Sequence, residues 1–404
     1  MKKTTIVLLL VCSLSPVAAQ SLAECIRVAR ENNLDMRVAD LQVQRASRME
    51  DSWFAMEKTV LSLSQDPTSG GSPDNALTLS QRFDFPTLYG ARRRQLKAET
   101  QMEASRRGLV ESELARDVAT AYCTLLLWQH VETLLAANDT VLEAFVSTAD
   151  IRLHNGETNQ LELMDARRML EENRMRLREA RDAKTASTLL LQQLMNTPDP
   201  VAPDDDYQCI QPDSGEWSFS STPQGQLAES EQLLSRHNLG VARQEMLPSL
   251  DVGLRYQCVI PGINPYDVDR SRFDGGNWMG FEVGLSFPLF YQRARRDAAK
   301  MDVDIAQSRR RQAERQADAE LLIARGAVAT ARRTYEYYRN EGLATAREMR
   351  RLSRLEYEAG EIGYVEHVQH LASALDIELA GAKAIDTLNQ AIIQLNFIKG
   401  AAGF

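Results

Sequence analysis

The sequence predicts a mainly α-helical protein with a small antiparallel β part, built from two internal repeats. The first observation is that the chain of 404 residues repeats itself, because Gly156-Glu157 matches Gly360-Glu361 at a shift of 204 and Phe85-Pro86 matches Phe287-Pro288 at a shift of 202. The second is that each copy contains two short runs in which apolar and polar residues alternate, as they do in half-buried strands. The third is that each copy contains a helical run of about 65 residues, or about 98 Å at 1.5 Å per residue.

The N-terminal residues MKKTTIVLLLVCSLSPVAAQS combine two lysines, a short apolar core and small residues before an expected cleavage after Ala19, which is the pattern of a secretory signal peptide. Cys12 leaves lipidation open. Removing Lys2 and Lys3 changes the formal net charge from −9 to −11, which argues against a nucleic-acid partner. The expected division is a signal peptide over 1–19, a first repeat over 20–196, a Pro/Asp-rich linker over 197–224 and a second repeat over 225–404.

The remaining cysteines are far apart and form no CxxC pair, which excludes a local zinc site and a dense disulfide framework. A disulfide between Cys25 and Cys209 stays open, because an exported protein meets an oxidising compartment. The chain has no nucleophile motif, phosphate-binding loop or HExxH pattern. The sequence therefore predicts neither an enzyme nor a cofactor.

The strand candidates are about nine to eleven residues long, which is the length of a tilted membrane-spanning strand. A small soluble sheet would show the same alternation. In lipid, four strands would leave two open edges, so the sheet would have to close with copies of itself. Proline ends a strand because it lacks an N–H group, and we expect strand-to-helix junctions at Phe85, Pro86, Phe287 and Pro288. The predicted strands are 58–65, 76–85, 250–258 and 281–289.

Two nearly unbroken helical runs are predicted, over 91–155 and 293–358. A shorter helical run follows each glycine break, and the leading helix of the other repeat adds to its length. Each long helix therefore has a partner of similar total length that consists of two helices. The alternative is a two-stranded coiled-coil spacer. The shorter and leading runs are 157–196, 361–398, 226–247 and 22–50.

Several stretches carry a family resemblance: LSQRFDFPTLYGARR, GLSFPLFYQRARR, LARDVATAYCTLLLW, MLPSLDVGLRY and the two glycine breaks. Over essentially the whole mature chain the sequence resembles the TolC-like outer-membrane efflux proteins, the outer membrane factors of tripartite efflux systems. The resemblance implies a homotrimer in the outer membrane. Each subunit would give four strands to a shared twelve-stranded β-barrel and its helices to a long α-helical barrel in the periplasm. The implied partners are a periplasmic adaptor protein, an inner-membrane pump and outer-membrane lipid.

The same resemblance places functional residues at the two glycine breaks. The adaptor-docking tips would comprise Gly156, Glu157, Gly360, Glu361 and Gly363.

The pore constriction would comprise Tyr357, Glu366, Gln369 and Glu162. In the family a tyrosine at the position of Tyr357 helps to hold the mouth closed. Three Glu366 carboxylates would attract cations. The best-known members of the family have an acidic residue where this chain has Gln369, so the expected ring of negative charge is weaker. A plain solvated glutamate is the alternative for Glu366, and Glu162, its repeat equivalent, need not face the axis.

Three of the five histidines, His154, His367 and His370, lie at the predicted tips. His367 and His370 are close enough along a helix to share a face. Neutral imidazoles bind Zn²⁺, Cu²⁺ or Ni²⁺ well, so one hypothesis is a channel for heavy-metal efflux. The other interpretation is exposed histidines without a ligand.

The predicted function is the outer-membrane channel of a tripartite efflux pump that exports drugs or heavy-metal cations. An alternative with the same fold is the outer-membrane component of type I protein secretion. An alternative of another class is a periplasmic adaptor or coiled-coil scaffold. An adaptor has a single helical hairpin among many short strands, whereas this sequence predicts two hairpins and four strands.

Overall fold

The computed structural model of the protein describes residues 19–66, 74–156, 158–199, 201–203, 205, 207–258, 278–287 and 292–401. Cys12 and most of the predicted signal peptide, Glu157 and Pro288 lie outside the described residues. The chain divides into two units: unit 1 comprises Met1–Val38, Leu109–Thr222 and Gln316–Phe404, and unit 2 comprises Ala39–Gly108 and Pro223–Arg315.

The structure is mainly helical with a small sheet, as the sequence predicts. The helices are α1 (Leu22–Asn32), α2 (Leu34–Glu50), α3 (Pro86–His154), α4 (Gln160–Met195), α5 (Pro223–Gln244), α6 (Gln292–Tyr337), α7 (Leu343–Glu358) and α8 (Tyr364–Lys399). The strands are β1 (Ala19–Gln20), β2 (Val60–Asp66), β3 (Asp74–Phe83), β4 (Ala202–Pro203), β5 (Ser249–Cys258) and β6 (Trp278–Ser286). None of the helices in the described ranges is both long and apolar enough to cross a membrane.

The sheet of unit 2 is antiparallel, with the strand order β2-β3-β5-β6. Its register aligns Leu61, Leu79, Leu254 and Phe281 in one row across all four strands. Because side chains alternate along a strand, this register gives one apolar and one polar face. Phe281 on the apolar face is 81% exposed. The other apolar members of that face are Leu63, Leu77, Phe83, Leu250, Val252, Tyr256, Met279, Val283 and Leu285, and the polar Gln81 lies among them opposite Val252.

The sequence predicts the four strands and their alternation, and the structure adds how the repeats join. The two central strands, β3 and β5, come from different repeats and pair over nine positions from Asn75↔Cys258 to Phe83↔Leu250. The outer edges of β2 and β6 have no partner strand within the described part of the chain.

The helices of unit 2 follow the order of the strands to which they are connected. Neighbouring helices are α2 and α3, then α3 and α5, then α5 and α6, and each pair is linked by side chains. The ion pairs are Asp40–Arg107 at 2.6 Å, Glu231–Arg106 at 3.6 Å and Glu229–Arg310 at 2.9 Å.

Unit 1 contains most of the buried apolar residues, and most of the segment predicted as a linker belongs to it. Asn389 on α8 accepts a hydrogen bond from Ile210 N at 2.8 Å and donates one to Gln208 O at 2.9 Å. Asn396, two turns further, accepts one from Asp213 N at 2.9 Å. Both asparagines are buried. Part of the Pro/Asp-rich segment is therefore fixed along α8 by buried amides, which satisfy its backbone groups.

The disulfide between Cys25 and Cys209 is absent, so that option is wrong for this structure. Cys25, Cys123 and Cys209 are all free. The Cys25 thiol is buried and lies 3.8 Å from the side-chain oxygen of Gln20. Burial raises the pKa of the Cys25 and Cys123 thiols to about 12, so both stay protonated and unreactive at neutral pH.

Two predicted helices are interrupted. The run over 22–50 breaks at Asn33, whose side chain accepts hydrogen bonds from Asp35 N and Met36 N and donates one to Leu194 O. The run over 293–358 contains a π-helical segment, Tyr338–Gly342. A π turn accommodates one extra residue. It accounts for one of the two residues by which the repeat shift grows from 202 at Phe85/Phe287 to 204 at Gly156/Gly360.

The two glycine breaks are helix reversals. Gly156 has φ +77° and Gly360 has φ +74°, a left-handed conformation that glycine adopts without a Cβ penalty. After α7, Gly360 N donates to Tyr357 O at 3.1 Å and Glu361 N donates to Glu356 O at 2.8 Å. These are the two hydrogen bonds of a Schellman motif, which satisfies the last carbonyls of the helix.

Gly360→Ser is expected to lower the free energy of unfolding by about 1–2 kcal/mol, because a side chain at positive φ meets the following carbonyl. Gly363→Ser is the matched control. Gly363 has φ −76°, caps the N-terminus of α8 and has open space around an added Cβ. Serine is favoured at that position. Urea unfolding of the full chain in detergent measures both variants, and equal losses would contradict the assigned reversal.

Candidate functional site at the helical tips

The candidate site lies in unit 1, where α3 meets α4 and α7 meets α8. One apolar cluster holds these two hairpins together at their ends. Its buried members are Ala149 from α3, Leu163 and Ala166 from α4, and Tyr364 and Val368 from α8. The tips of the two repeats therefore share a core.

Aromatic rings from three helices meet beside this core. The Tyr357 ring of α7 stacks on the His367 imidazole of α8, with 4.7 Å between centroids and 3° between planes. Phe145 of α3 meets His367 edge-on at 5.0 Å and Tyr364 at 5.7 Å. The Tyr364 hydroxyl is buried and has no hydrogen-bond partner among the described residues.

His367 is a core residue rather than a surface ligand. It is 4% exposed, and its Nδ1 lies 2.7 Å from the hydroxyl of Ser353, which is 2% exposed. Burial lowers the pKa of His367, and the neighbouring His370 acts in the same direction, while Ser353 and Glu358 oppose the shift. The imidazole is therefore neutral at neutral pH.

The polar part of the site is centred on Arg152 of α3. Its guanidinium lies 3.4 Å from the Glu162 carboxylate and donates at 3.4 Å to the Tyr357 hydroxyl. The hydroxyl of Thr158 also donates to Glu162. Glu162 is thus bound inside its own hairpin, and Arg152 connects that hairpin to α7.

Glu366, the repeat equivalent of Glu162, is in a different environment. It is exposed on α8, as are Gln369 and His370. Within the described residues, no cation lies at ion-pair distance from Glu366. The second repeat therefore presents a free carboxylate where the first has a neutralised one.

The three tip histidines do not form one site. His154 is 75% exposed and its ring contacts the Asp150 carbonyl, His367 is buried, and His370 is exposed. His367 and His370 are three residues apart on α8, yet one is buried and the other exposed. Across the described part of the chain, no group of three or more His, Cys, Asp or Glu side chains could hold a metal ion.

The sequence interpretation missed the Ser353–His367 pair, although the repeat alignment contains its signal. At the shift of 204, Ser353 and His367 fall on Ala149 and Leu163, which are both buried. An apolar pair in the first repeat is thus a hydrogen-bonded polar pair in the second. Arg152 and Phe145 were missed for a different reason, because only tertiary packing brings them to the tip.

Exposed apolar side chains flank both reversals. Leu161, just after the first, is 67% exposed, and its repeat equivalent Val365 is also exposed. Ile151 and its equivalent Leu355, just before the reversals, are exposed as well. Each tip thus presents apolar surface at two equivalent positions.

In unit 2, α3 begins at Pro86, and Leu88 N donates to Phe85 O at 2.8 Å. Phe85 and Phe287 are both exposed at the ends of β3 and β6.

The described residues form a duplicated fold with long helical hairpins and a sheet that has one apolar face and two edges without a partner strand, which fits the subunit of a membrane channel. The family model described as outer membrane efflux protein matches residues 56–197 and 222–401. The chain belongs to this family of outer-membrane efflux channels. A comparison with curated proteins gave no match.

Solved structures of outer-membrane channels share the fold. CusC, in a study of folding and transmembrane channel formation, has a TM-score of 0.77 at 18% identity, covering 96% of this chain and 93% of that one. The open state of the MtrE channel of Neisseria gonorrhoeae has a TM-score of 0.76 at 19% identity, covering 94% and 88%. The CmeC channel of Campylobacter jejuni has a TM-score of 0.75 at 16% identity, covering 94% and 85%.

The buried neutral His367 predicts a pH dependence of stability. Its pKa in the folded chain is below the unfolded value of about 6.5. Below pH 6.5 the unfolded chain therefore binds a proton that the folded chain excludes, and stability falls as pH decreases through this window. The double variant Ser353→Ala/His367→Leu copies the first repeat and is expected to show a shallower loss between about pH 7 and pH 5.

His154→Leu is the control, because the His154 side chain is 75% exposed and lies in the other hairpin. Burial also lowers the pKa of His130 and His237. The wild type and both variants keep these two histidines, so their effect on the slope is the same in all three. Urea unfolding at each pH gives the slopes. If the double variant and the wild type have the same slope, His367 is not held neutral by the tip.

Proposed function

We propose that the protein is the trimeric outer-membrane channel of a tripartite efflux pump and carries small solutes from the periplasm to the exterior. In this role it is a conduit rather than an enzyme. The observation that carries the proposal is the sheet of unit 2, which has an apolar face and two unpaired edges.

Membrane closure requires more than one copy. Unpaired backbone groups are costly in lipid, and the smallest membrane β-barrels have about eight strands. Four strands from each of three copies would give twelve and leave no edge. In the assembled trimer, the β6 edge of one copy would pair with the β2 edge of the next. Closed cyclic symmetry of this kind is usual for homo-oligomers.

The outer helices of unit 2 support the same assembly. Leu41 and Met49 on α2, and Met301 and Ile305 on α6, are exposed apolar residues on the helices connected to the two edge strands. Packing α6 of one copy on α2 of the next would bury them. The helices and the strands of the trimer would then both form closed rings.

The tips would form the periplasmic mouth. Three copies would place three free Glu366 carboxylates around the axis, where a ring of negative charge favours cations. Tyr357, stacked on His367 and bound by Arg152, would keep α7 attached to the first hairpin in the closed state. Gln369 would add polar but uncharged surface. Glu162 would hold Arg152, which connects the first hairpin to Tyr357 of α7.

We further propose that the tips bind a periplasmic adaptor that joins the channel to an inner-membrane pump. The exposed apolar residues Ile151, Leu161, Leu355 and Val365 support this, because equivalent positions in both repeats would give a trimer six similar docking sites. Gly156, Gly360, Glu361 and Gly363 would shape these sites, together with Glu157. A type I secretion channel would use the same conduit with a different partner.

The direct test is the mass of the purified chain in detergent and its conductance in a planar bilayer. A trimer that forms cation-preferring pores is expected. Glu366→Gln should lower the cation preference at least about twofold, because three negative charges leave the constriction. Glu336→Gln is the control, since Glu336 is exposed on α6 but is distant in sequence from both reversals. A monomer without conductance would contradict the channel, and unchanged selectivity would remove Glu366 from the constriction.

Adaptor docking is tested by photo-crosslinking in cells. A photoreactive residue in place of Leu161 or Val365 is expected to capture a periplasmic protein with a single helical hairpin and lipoyl-like domains, identified by mass spectrometry. Met175, an exposed apolar residue of α4 farther from the turn, is the matched control position. Equal capture of that protein from position 175, or capture of only unrelated proteins, would contradict docking at the tips.

A further inference from the structure

We propose that exposed arginines next to the sheet bind the phosphate groups of anionic phospholipids in the membrane leaflet nearest the helices. The residues are Arg93 and Arg94 on α3 and Arg293 and Arg295 on α6, and we call them the arginine collar. This inference rests on the proposed membrane position of the sheet and adds to it a preferred lipid.

The collar occupies the same level in both repeats. α3 begins three residues after β3 ends, and Arg93 follows Pro86 by seven residues, or about 11 Å along the helix. α6 begins six residues after β6 ends, and its first four residues include Arg293 and Arg295. The shift of 202 places Arg93 on Arg295 and Arg94 on Arg296. The cations therefore follow the apolar strands at a similar distance in each half.

Most of the collar lacks a carboxylate partner. Among the described residues, no carboxylate lies at ion-pair distance from Arg93, Arg94 or Arg293. The nearest carboxylate oxygen to Arg295 is 3.6 Å away, on Glu245. By contrast, Arg92 and Arg296 each have a carboxylate at 2.7 Å, Asp84 and Asp297 respectively.

Helix stability does not account for the collar. The first turns of α3 and α6 contain no acidic residue. Cations in the first turn of a helix oppose its dipole, so Arg293 and Arg295 weaken α6 rather than stabilise it. Arg93 and Arg94 lie beyond the first turn of α3 and gain nothing from its dipole. A negatively charged partner outside the chain would compensate for this.

Aromatic residues connect the collar to the membrane level. The Arg93 guanidinium lies 5.6 Å above the centre of the Trp53 ring. Trp53 contacts Phe54, which is exposed and packs on Tyr89 with 4.8 Å between centroids. Tryptophan next to apolar surface is typical of a membrane–water interface. The aromatic ring also orients Arg93 and limits the freedom it would lose on binding a headgroup.

The positive charge of the collar and its position beside the apolar face together favour an anionic phospholipid as the ligand. The guanidinium group matches phosphate oxygens bidentately, and an exposed arginine next to an apolar face meets lipid headgroups first. A headgroup with net negative charge interacts with several nearby cations more strongly than a zwitterionic one. An acidic segment of a soluble protein would fit the charge, but it would not use the adjacent apolar face.

The experiment measures lipid retained by the full chain extracted in detergent. The probes are phosphatidylglycerol and phosphatidylcholine with identical acyl chains, supplied as an equal mixture and counted by native mass spectrometry. The wild type is expected to retain phosphatidylglycerol about tenfold over phosphatidylcholine. Higher salt should reduce this ratio, because exposed charges are screened.

The variant Arg93→Gln/Arg94→Gln/Arg293→Gln is expected to lower the ratio to about twofold or less. The control is Arg309→Gln/Arg311→Gln/Arg315→Gln, which removes three exposed arginines of α6 that begin sixteen residues, or about 24 Å, beyond Arg293. A ratio near one for the wild type, or an equal loss in both triple variants, would overturn the collar.

The outcome is separate from that of the proposed function. Trimer mass and conductance are measured on the same preparations. A conducting trimer without lipid preference would reject the collar and keep the channel. A chain that retains phosphatidylglycerol through the collar but neither trimerises nor conducts would keep the collar and reject the channel.

Discussion

The need to pair every backbone polar group of the sheet is the constraint on which the rest of the structure depends. The four strands of unit 2 satisfy their inner edges and leave β2 and β6 open at the outside, while one face is almost entirely apolar. An apolar face requires a nonpolar environment, and open edges are not tolerated there. In the proposed channel both conditions are met when copies of the chain share one sheet, so the proposed oligomer follows from the strands rather than from the helices.

The tips show how two copies of one hairpin can take different roles. Both repeats reverse at a glycine and carry a glutamate six residues later. In the first, the glutamate is neutralised by Arg152, and Ala149 and Leu163 bring apolar side chains to the shared core. In the second, the glutamate is free and the core contains the Ser353–His367 pair. The first hairpin supplies the anchoring arginine, and the second supplies the free charge.

The sequence was sufficient for features that depend on local pattern. Period-two alternation located the four strands, and the glycine pair located both reversals, because positive φ strongly restricts residue choice. The sequence could not show that β3 pairs with β5, because pairing between the repeats depends on packing of the whole chain. It also assigned His367 to the surface, since a histidine flanked by Glu366 and Val368 gives no sign of burial. The breaks at Asn33 and Tyr338–Gly342 were missed, although Asn32, Asn33, Asn340 and Gly342 all have low helix propensity.

The π-helical segment Tyr338–Gly342 bears on how the duplicated halves could diverge. One residue inserted into an ordinary α-helix rotates every later side chain by about 100° about the axis. That change would turn the inward face of α7 away from α8. A π turn takes up the extra residue locally, and Gly342 provides the room, because a Cβ there would lie 2.9 Å from the ring of Tyr338. The second half could thus lengthen after duplication while Ser353 and Tyr357 kept their phase towards His367.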